Sequence, residues 1–157
     1  MQTKVTKFLD EKNIAYKVKL HKEEALTCEL AAKERNCRIS QIIKTMVAKD
    51  DKGNFHICLI PGDKILKLKK VRQAAGGIKI DLADPNLIAK ELDLIVGAIS
   101  PFLFPEGSYF YADESILREK EVDVSSGDPK AGIEILSEDL LKLTQAKLCD
   151  IISTSDI

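Results

Sequence analysis

Ile42-Ile43-Lys44-Thr45-Met46-Val47-Ala48 and Phe55-His56-Ile57-Cys58-Leu59-Ile60 are two apolar runs separated by Lys49-Asp50-Asp51-Lys52-Gly53-Asn54. Short runs rich in β-branched residues, joined by a polar turn containing glycine, predict an antiparallel hairpin. Upstream, Val5, Phe8 and Leu9 fall at i, i+3 and i+4, which predicts an amphipathic helix to about Asn13, and Ile14 to Leu20 reads as a strand. Thr27 is placed to cap a helix that runs through Arg35 and that Asn36 ends in a left-handed conformation. Downstream, Leu66, Leu68, Val71 and Ala74-Ala75 predict a helix closed by Gly76-Gly77, followed by a strand over Ile78 to Leu82. Asp84 with Pro85 after it opens a helix to about Glu91, because proline at the first helical position gives up no hydrogen bond. Leu94 to Ile99, Tyr109 to Ala112, Val122 to Ser125, Gly132 to Leu136 and Lys147 to Ile151 are strand candidates, and Ser137-Glu138-Asp139-Leu140 opens a last helix. Strands and helices interleave too irregularly for a strict βαβ succession. The expected class is therefore α/β of the α+β type, a mixed, largely antiparallel sheet of six to seven strands surrounded by helices.

The 157 residues suit one domain, 1–157, with a single sizeable core. A 45% hydrophobic, 31% charged composition is that of a globular chain, and a net charge of −1 excludes nucleic-acid binding by bulk electrostatics. No window reaches the ~18 apolar residues of a membrane span, and Met1 to Asn13 lacks a signal-peptide core, so a cytoplasmic protein with no membrane partner is expected. Cys28, Cys37, Cys58 and Cys149 form no C-x-x-C pair and have no histidine at zinc-ligand spacing, which reads as reduced thiols, no metal and no cofactor. With no tryptophan and 5% aromatics, a platform of stacked rings for nucleic acid is not expected.

The chemistry-bearing residues are few. There is no G-x-S-x-G and no G-x-x-x-x-G-K-[ST]. His56 alternates with Phe55 and Ile57 and reads as a half-exposed strand residue; His21 stands at a strand end as either a structural or a site residue. In Leu94-Ile95-Val96-Gly97-Ala98-Ile99-Ser100-Pro101 an apolar strand runs into a Gly-x-x-x-Pro loop. That loop either presents backbone N–H groups to a carbonyl or oxyanion, or simply turns the chain. Lys44 sits among apolar neighbours at the start of a central strand and is solvent-facing, snorkelling or functional. Ser125-Ser126-Gly127-Asp128-Pro129 is an ordinary turn or a donor of hydroxyls and amides to a pocket. Lys64, Lys67, Lys69, Lys70 and Arg72 form the densest basic run and are the candidate contact for nucleic-acid phosphates, against the alternative of a solvated helix face.

Taken together, Gln41-Ile42-Ile43-Lys44-Thr45, Val96-Gly97-Ala98-Ile99-Ser100-Pro101 and Ser126-Gly127 ahead of Gly132-Ile133-Glu134-Ile135 resemble the YbaK/EbsC family of free-standing aminoacyl-tRNA deacylases, relatives of the editing domain of bacterial prolyl-tRNA synthetases. The similarity runs from the N-terminal helix to about Ile152. It implies a pocket for the aminoacylated 3′ end of a tRNA, with catalytic positions at Lys44 and at Gly97, Ala98, Ile99, Ser100 and Pro101. It implies substrate contacts from Thr45, His21, Ser126, Gly127 and Asp128, and prolyl-tRNA synthetase as a partner. In members acting on cysteinyl-tRNA the substrate's own thiol is proposed to attack its ester, so no catalytic Cys–His pair is expected; in alanyl-specific relatives a positioned water does so. Lys19-Leu20 before His21 and Ala98 in the loop depart from the family pattern and bear on substrate choice. The resemblance thus implies release of Cys from Cys-tRNA(Pro), with Ala-tRNA(Pro) deacylation or a non-catalytic tRNA- or synthetase-binding module as alternatives. The apolar Phe102-Leu103-Phe104 is expected either to reshape the pocket or to form a contact surface.

Overall fold

The computed structural model describes residues 1–154, so the last three residues of the expected 1–157 domain lie outside the described residues. The chain runs α1 (Lys4–Glu11), β1 (Lys17–Leu20), α2 (Cys28–Arg35), β2 (Ile43–Asp50), β3 (Phe55–Pro61), α3 (Leu68–Ala74), β4 (Ile80–Leu82), α4 (Pro85–Leu92), β5 (Tyr109–Asp113), β6 (Glu121–Ser125), β7 (Ala131–Leu136), α5 (Ser137–Thr144) and β8 (Lys147–Cys149). β2 and β3 form the expected antiparallel hairpin, with Lys44 opposite Ile60 and Ala48 opposite His56. Asp50 builds its turn by accepting from the N–H groups of Lys52 and Asn54, and Gly53 supplies the positive φ of 83°.

The mixed architecture is as expected, but the strands divide between two sheets. One has the order β4-β2-β3-β5-β8, with β5 parallel to β3 and β8 parallel to β5; the other is antiparallel, β1-β7-β6. Among the described residues a single bridge, Ile42 with Asp123, joins them. β3 is buried along its whole length because both faces of the five-stranded sheet are covered. Phe55, Ile57 and Leu59 enter the core shared with the second sheet, α1, α4 and α5, while Cys58 and Ile60 pack with Val71 of α3 and Ile80.

The same double cover corrects the reading of His56, which is 1% exposed. Its Nδ1 pairs with the Tyr111 hydroxyl at 2.9 Å, its Nε2 with Asp50 at 2.9 Å, and Tyr109 stacks on its ring. Leu94 to Ile99 is not a strand. Asp93 ends α4 in the left-handed region, Gly97 has φ 85°, and the Ala98 N–H closes a turn onto the Ile95 carbonyl, so the segment cannot extend. The strand expected from Ile14 begins only at Lys17. Thr27 and Asp84 cap α2 and α4 through their side chains, and Asn36 ends α2 at φ 53°. Phe102 stacks on Phe8 within the core and Phe104 packs at its edge, leaving only Leu103 of that trio exposed.

Burial pushes the Cys58 thiol up from its ordinary value near 9 to about 12. Below pH 9 the thiol is neutral in both folded and unfolded chains; between 9 and 12 only the unfolded chain ionises. Stability therefore falls across that window, by on the order of 2 kcal/mol at pH 11 from this group. Urea titrations at pH 8 and 11 should show the Cys58→Ala variant losing correspondingly less than wild type.

Candidate active site

The two sheets and α2 enclose a cavity of about 300 Å³, which is where the sequence candidates meet or fail to meet. Its first wall is the segment Ala25-Leu26-Thr27 and the α2 residues Cys28, Ala31 and Arg35. The opposite wall is the start of β2, Ile42 to Thr45, and Val96, Gly97, Ile99, Pro85 and Ser125 close the remainder. Gly97 is needed for this closure because a Cβ there would stand 2.9 Å from the Leu26 carbonyl oxygen and 3.0 Å from its Cβ. The Gly-x-x-x-Pro loop and the segment before α2 thus touch through a residue that has no side chain.

Lys44 is half-buried at the rim, its Nζ donating to the Lys64 carbonyl at 2.9 Å. Thr45, the next residue of β2, also lines the cavity, and its Oγ1 is buried with no hydrogen-bond partner among the described residues. Cys28 lies beside Lys44. Burial raises its thiol pKa more strongly than the ammonium lowers it, so it is a neutral thiol, not an activated nucleophile. Among the described residues no histidine, aspartate or glutamate lines the cavity.

Arg35 is the residue that the sequence reading missed. It is 8% exposed, its Nε–H donates to His21 Nε2 at 3.1 Å and its Nη1 to the Val124 carbonyl at 3.4 Å. The other ring nitrogen of His21, Nδ1, meets the Pro129 carbonyl at 2.8 Å. These two partners require the tautomer protonated on Nδ1. Room for the guanidinium exists because residue 132 is glycine: a Cβ there would lie 2.0 Å from Arg35 Nε. The signal was present in the spacing, since Cys28, Ala31 and Arg35 stand at i, i+3 and i+7 on one face of α2, where an arginine interrupts small apolar residues.

The profile of the aminoacyl-tRNA editing domain family matches residues 22–143, which takes in every wall of this cavity. The chain belongs to that family. Within it the chain is of the YbaK/EbsC type, whose members are aminoacyl-tRNA deacylases. It is 27% identical over 82% of its length to a candidate Cys-tRNA(Pro)/Cys-tRNA(Cys) deacylase, EbsC, of Enterococcus faecalis, covering 79% of that protein. It is 29% identical over 88% of its length to the prolyl-tRNA editing protein ProX of Acetoanaerobium sticklandii, covering 87% of it. A solved structure of a candidate trans-editing enzyme for prolyl-tRNA synthetase superposes with a TM-score of 0.84, at 23% identity and with 98% and 99% of the two chains covered.

Against this cavity the expected site residues separate. Lys44, Thr45, Gly97 and Ile99 line the cavity. Ala98, Ser100 and Pro101 are buried behind it and hold the loop. His21 reaches it only through Arg35. Ser126, Gly127 and Asp128 do not line it, because they form the β6–β7 turn: Ser126 Oγ donates to the Ala131 carbonyl at 2.6 Å and Asp128 accepts from the Lys130 N–H. That turn serves the site at one remove, since the Pro129 and Lys130 carbonyls receive the N–H groups of Ala25 and His21 and so pin the segment leading into α2. In the basic run, Lys70 is bound to Asp150 and the Ile152 carbonyl, and Arg72 to Asp81 and the Ile80 carbonyl; Lys67 and Lys69 are exposed. Lys70 and Arg72 of the expected phosphate contact are therefore engaged within the protein.

Gly132→Ala should collide with the Arg35 guanidinium and cost about 1–3 kcal/mol, as overpacking in a filled interior does. Equilibrium unfolding measures it, and adding Arg35→Ala should recover most of the loss.

Proposed function

We propose that this chain is a single-domain trans-editing deacylase that releases cysteine from Cys-tRNA(Pro), working in the cytoplasm alongside prolyl-tRNA synthetase. The observation that carries the reading is the convergence of the Lys44 ammonium, the unpartnered Thr45 hydroxyl and the Gly97 loop on one small, largely apolar cavity. In this reading Lys44 holds the 3′ end and the loop orients the aminoacyl carbonyl. An aminoacyl ester is already activated, so positioning and stabilisation of the developing oxyanion supply most of what release requires.

A lining without histidine or carboxylate supports a route in which the substrate brings its own nucleophile. The cysteinyl thiol loses its proton, and the sulfur attacks the ester carbonyl carbon. The bond from that carbon to the 3′ oxygen breaks, and the 3′ oxygen takes up a proton. The products are a cyclic thioester and tRNA with a free 3′ hydroxyl. No protein thiol takes part, consistent with the neutral Cys28. The kinship with ProX and EbsC supports the choice of tRNA and amino acid.

Purified protein incubated with Cys-, Ala-, Ser- and Pro-charged tRNA(Pro) tests the proposal. Cys-tRNA(Pro) should be deacylated fastest; a preference for Ala-tRNA(Pro) would replace thiol attack by water, and no release from any of them would refute the function. Lys44→Ala should slow deacylation on the order of a hundredfold while costing no more stability than one hydrogen bond, about 1 kcal/mol. Lys44→Arg should rescue only in part, because a planar fork presents its donors differently from a compact ammonium. Cys28→Ala should stay within about tenfold of wild type, since it removes a neutral wall and no nucleophile.

A further inference from the structure

Arg35 makes fewer contacts than a buried arginine requires. A guanidinium has five N–H donors. Among the described residues only two of them are engaged, one by His21 Nε2 and one, at 3.4 Å, by the Val124 carbonyl. Among the described residues no carboxylate stands within 4 Å of it. Asp123 acts on it at longer range and is itself bonded to Lys19 at 3.2 Å, while Glu134 holds the same lysine at 3.0 Å. A desolvated cation left without a paired anion is costly, and arginine does not escape the cost by losing its proton. The side chain lines the cavity, and among the described residues Nη2 has no hydrogen-bond partner. His21 and the Gly132 gap hold the guanidinium in one place before anything binds.

We propose that Arg35 is an anion-binding residue on the floor of the cavity, and that its ligand is the phosphate on the 5′ side of the terminal adenosine. The inference rests on the reading of the cavity as the pocket for an aminoacylated 3′ end. An aminoacyl ester has no free carboxylate, and its amino group is cationic at neutral pH. The phosphodiester is therefore the only anion such an end brings close to the cavity. A planar fork with adjacent free donors matches two phosphate oxygens, with the geometric selectivity a point charge lacks. The same site would answer how a chain of net charge −1, with Lys70 and Arg72 already paired, takes hold of tRNA. One preorganised, desolvated cation replaces a broad basic surface.

Calorimetric titration with adenosine 5′-monophosphate and with adenosine tests the phosphate contact without turnover. Wild type should bind the monophosphate at least tenfold more tightly. Arg35→Leu, which keeps most of the buried volume, and Arg35→Gln, which keeps polarity, should both abolish that preference. In deacylation of Cys-tRNA(Pro) the same variants should raise KM on the order of ten- to a hundredfold with kcat within about threefold. Equal binding of monophosphate and adenosine by wild type overturns the proposal. So does a preference that survives in both variants while the melting temperature falls, which would make Arg35 only the counter-charge of Asp123. A fall in kcat at unchanged KM also overturns it, because the arginine would then serve the oxyanion. A phosphate preference dependent on Arg35 in a protein that deacylates nothing would refute the function and leave the anion site standing; normal deacylation by Arg35→Leu would do the reverse.

Discussion

Burial of β3 on both faces is the constraint from which the rest of the molecule follows. Each large aliphatic side chain taken out of water there contributes about 1.5–3 kcal/mol, and Ile57, Leu59 and Ile60 are completely inaccessible. A strand with two covered faces needs two cores. α3 with β4 and the segment to Ile151 supplies one; the second sheet with α1, α4 and α5 supplies the other. The antiparallel partner β2 is held in register by β3, and the start of β2 is where Lys44 and Thr45 face the cavity. The position of the site is thus a consequence of strand pairing several residues away.

The cavity lies at the seam between the sheets, where the Ile42–Asp123 bridge is the sole ladder contact between them among the described residues. Seams of this kind leave polar groups short of partners, and here the shortage is visible in Thr45 Oγ1 and Asp123 Oδ1, both buried with no hydrogen-bond partner among the described residues. An enzyme acting on an activated ester has use for such groups, since they are fixed in advance and become satisfied only when substrate enters. The absence of a general base from the lining fits chemistry in which placement does more than proton transfer.

Support around the cavity is layered. Gly97 allows the loop to touch Leu26, and the β6–β7 turn anchors the chain at His21 and Ala25. Gly132 leaves the space in which Arg35 lies. Three of these devices are backbone features, which explains why residues such as Ser126 and Asp128 bear on the site although they do not face it. They set the positions of groups that do.

Local chemistry made a good part of this legible in the sequence. The hairpin, the caps at Thr27 and Asp84 and the left-handed Asn36 depend on residues within a few positions of one another, and each motif shared with editing proteins is itself a short stretch. Lys44 and Gly97 could be singled out for the same reason, and Thr45 through the resemblance alone. Long-range packing decided the remainder. Alternation along β3 suggested a half-exposed His56, but whether the second face of a strand meets water depends on α3 and on Tyr109, which come from elsewhere in the chain. Leu94 to Ile99 carries a strand-like composition, yet Gly97 against Leu26 turns it into a cavity wall. Arg35 shows the division most clearly. The sequence reading took it only as the end of α2, and only the fold brings His21, Gly132 and Val124 around it, because burial and electrostatic pairing depend on what surrounds a side chain in three dimensions.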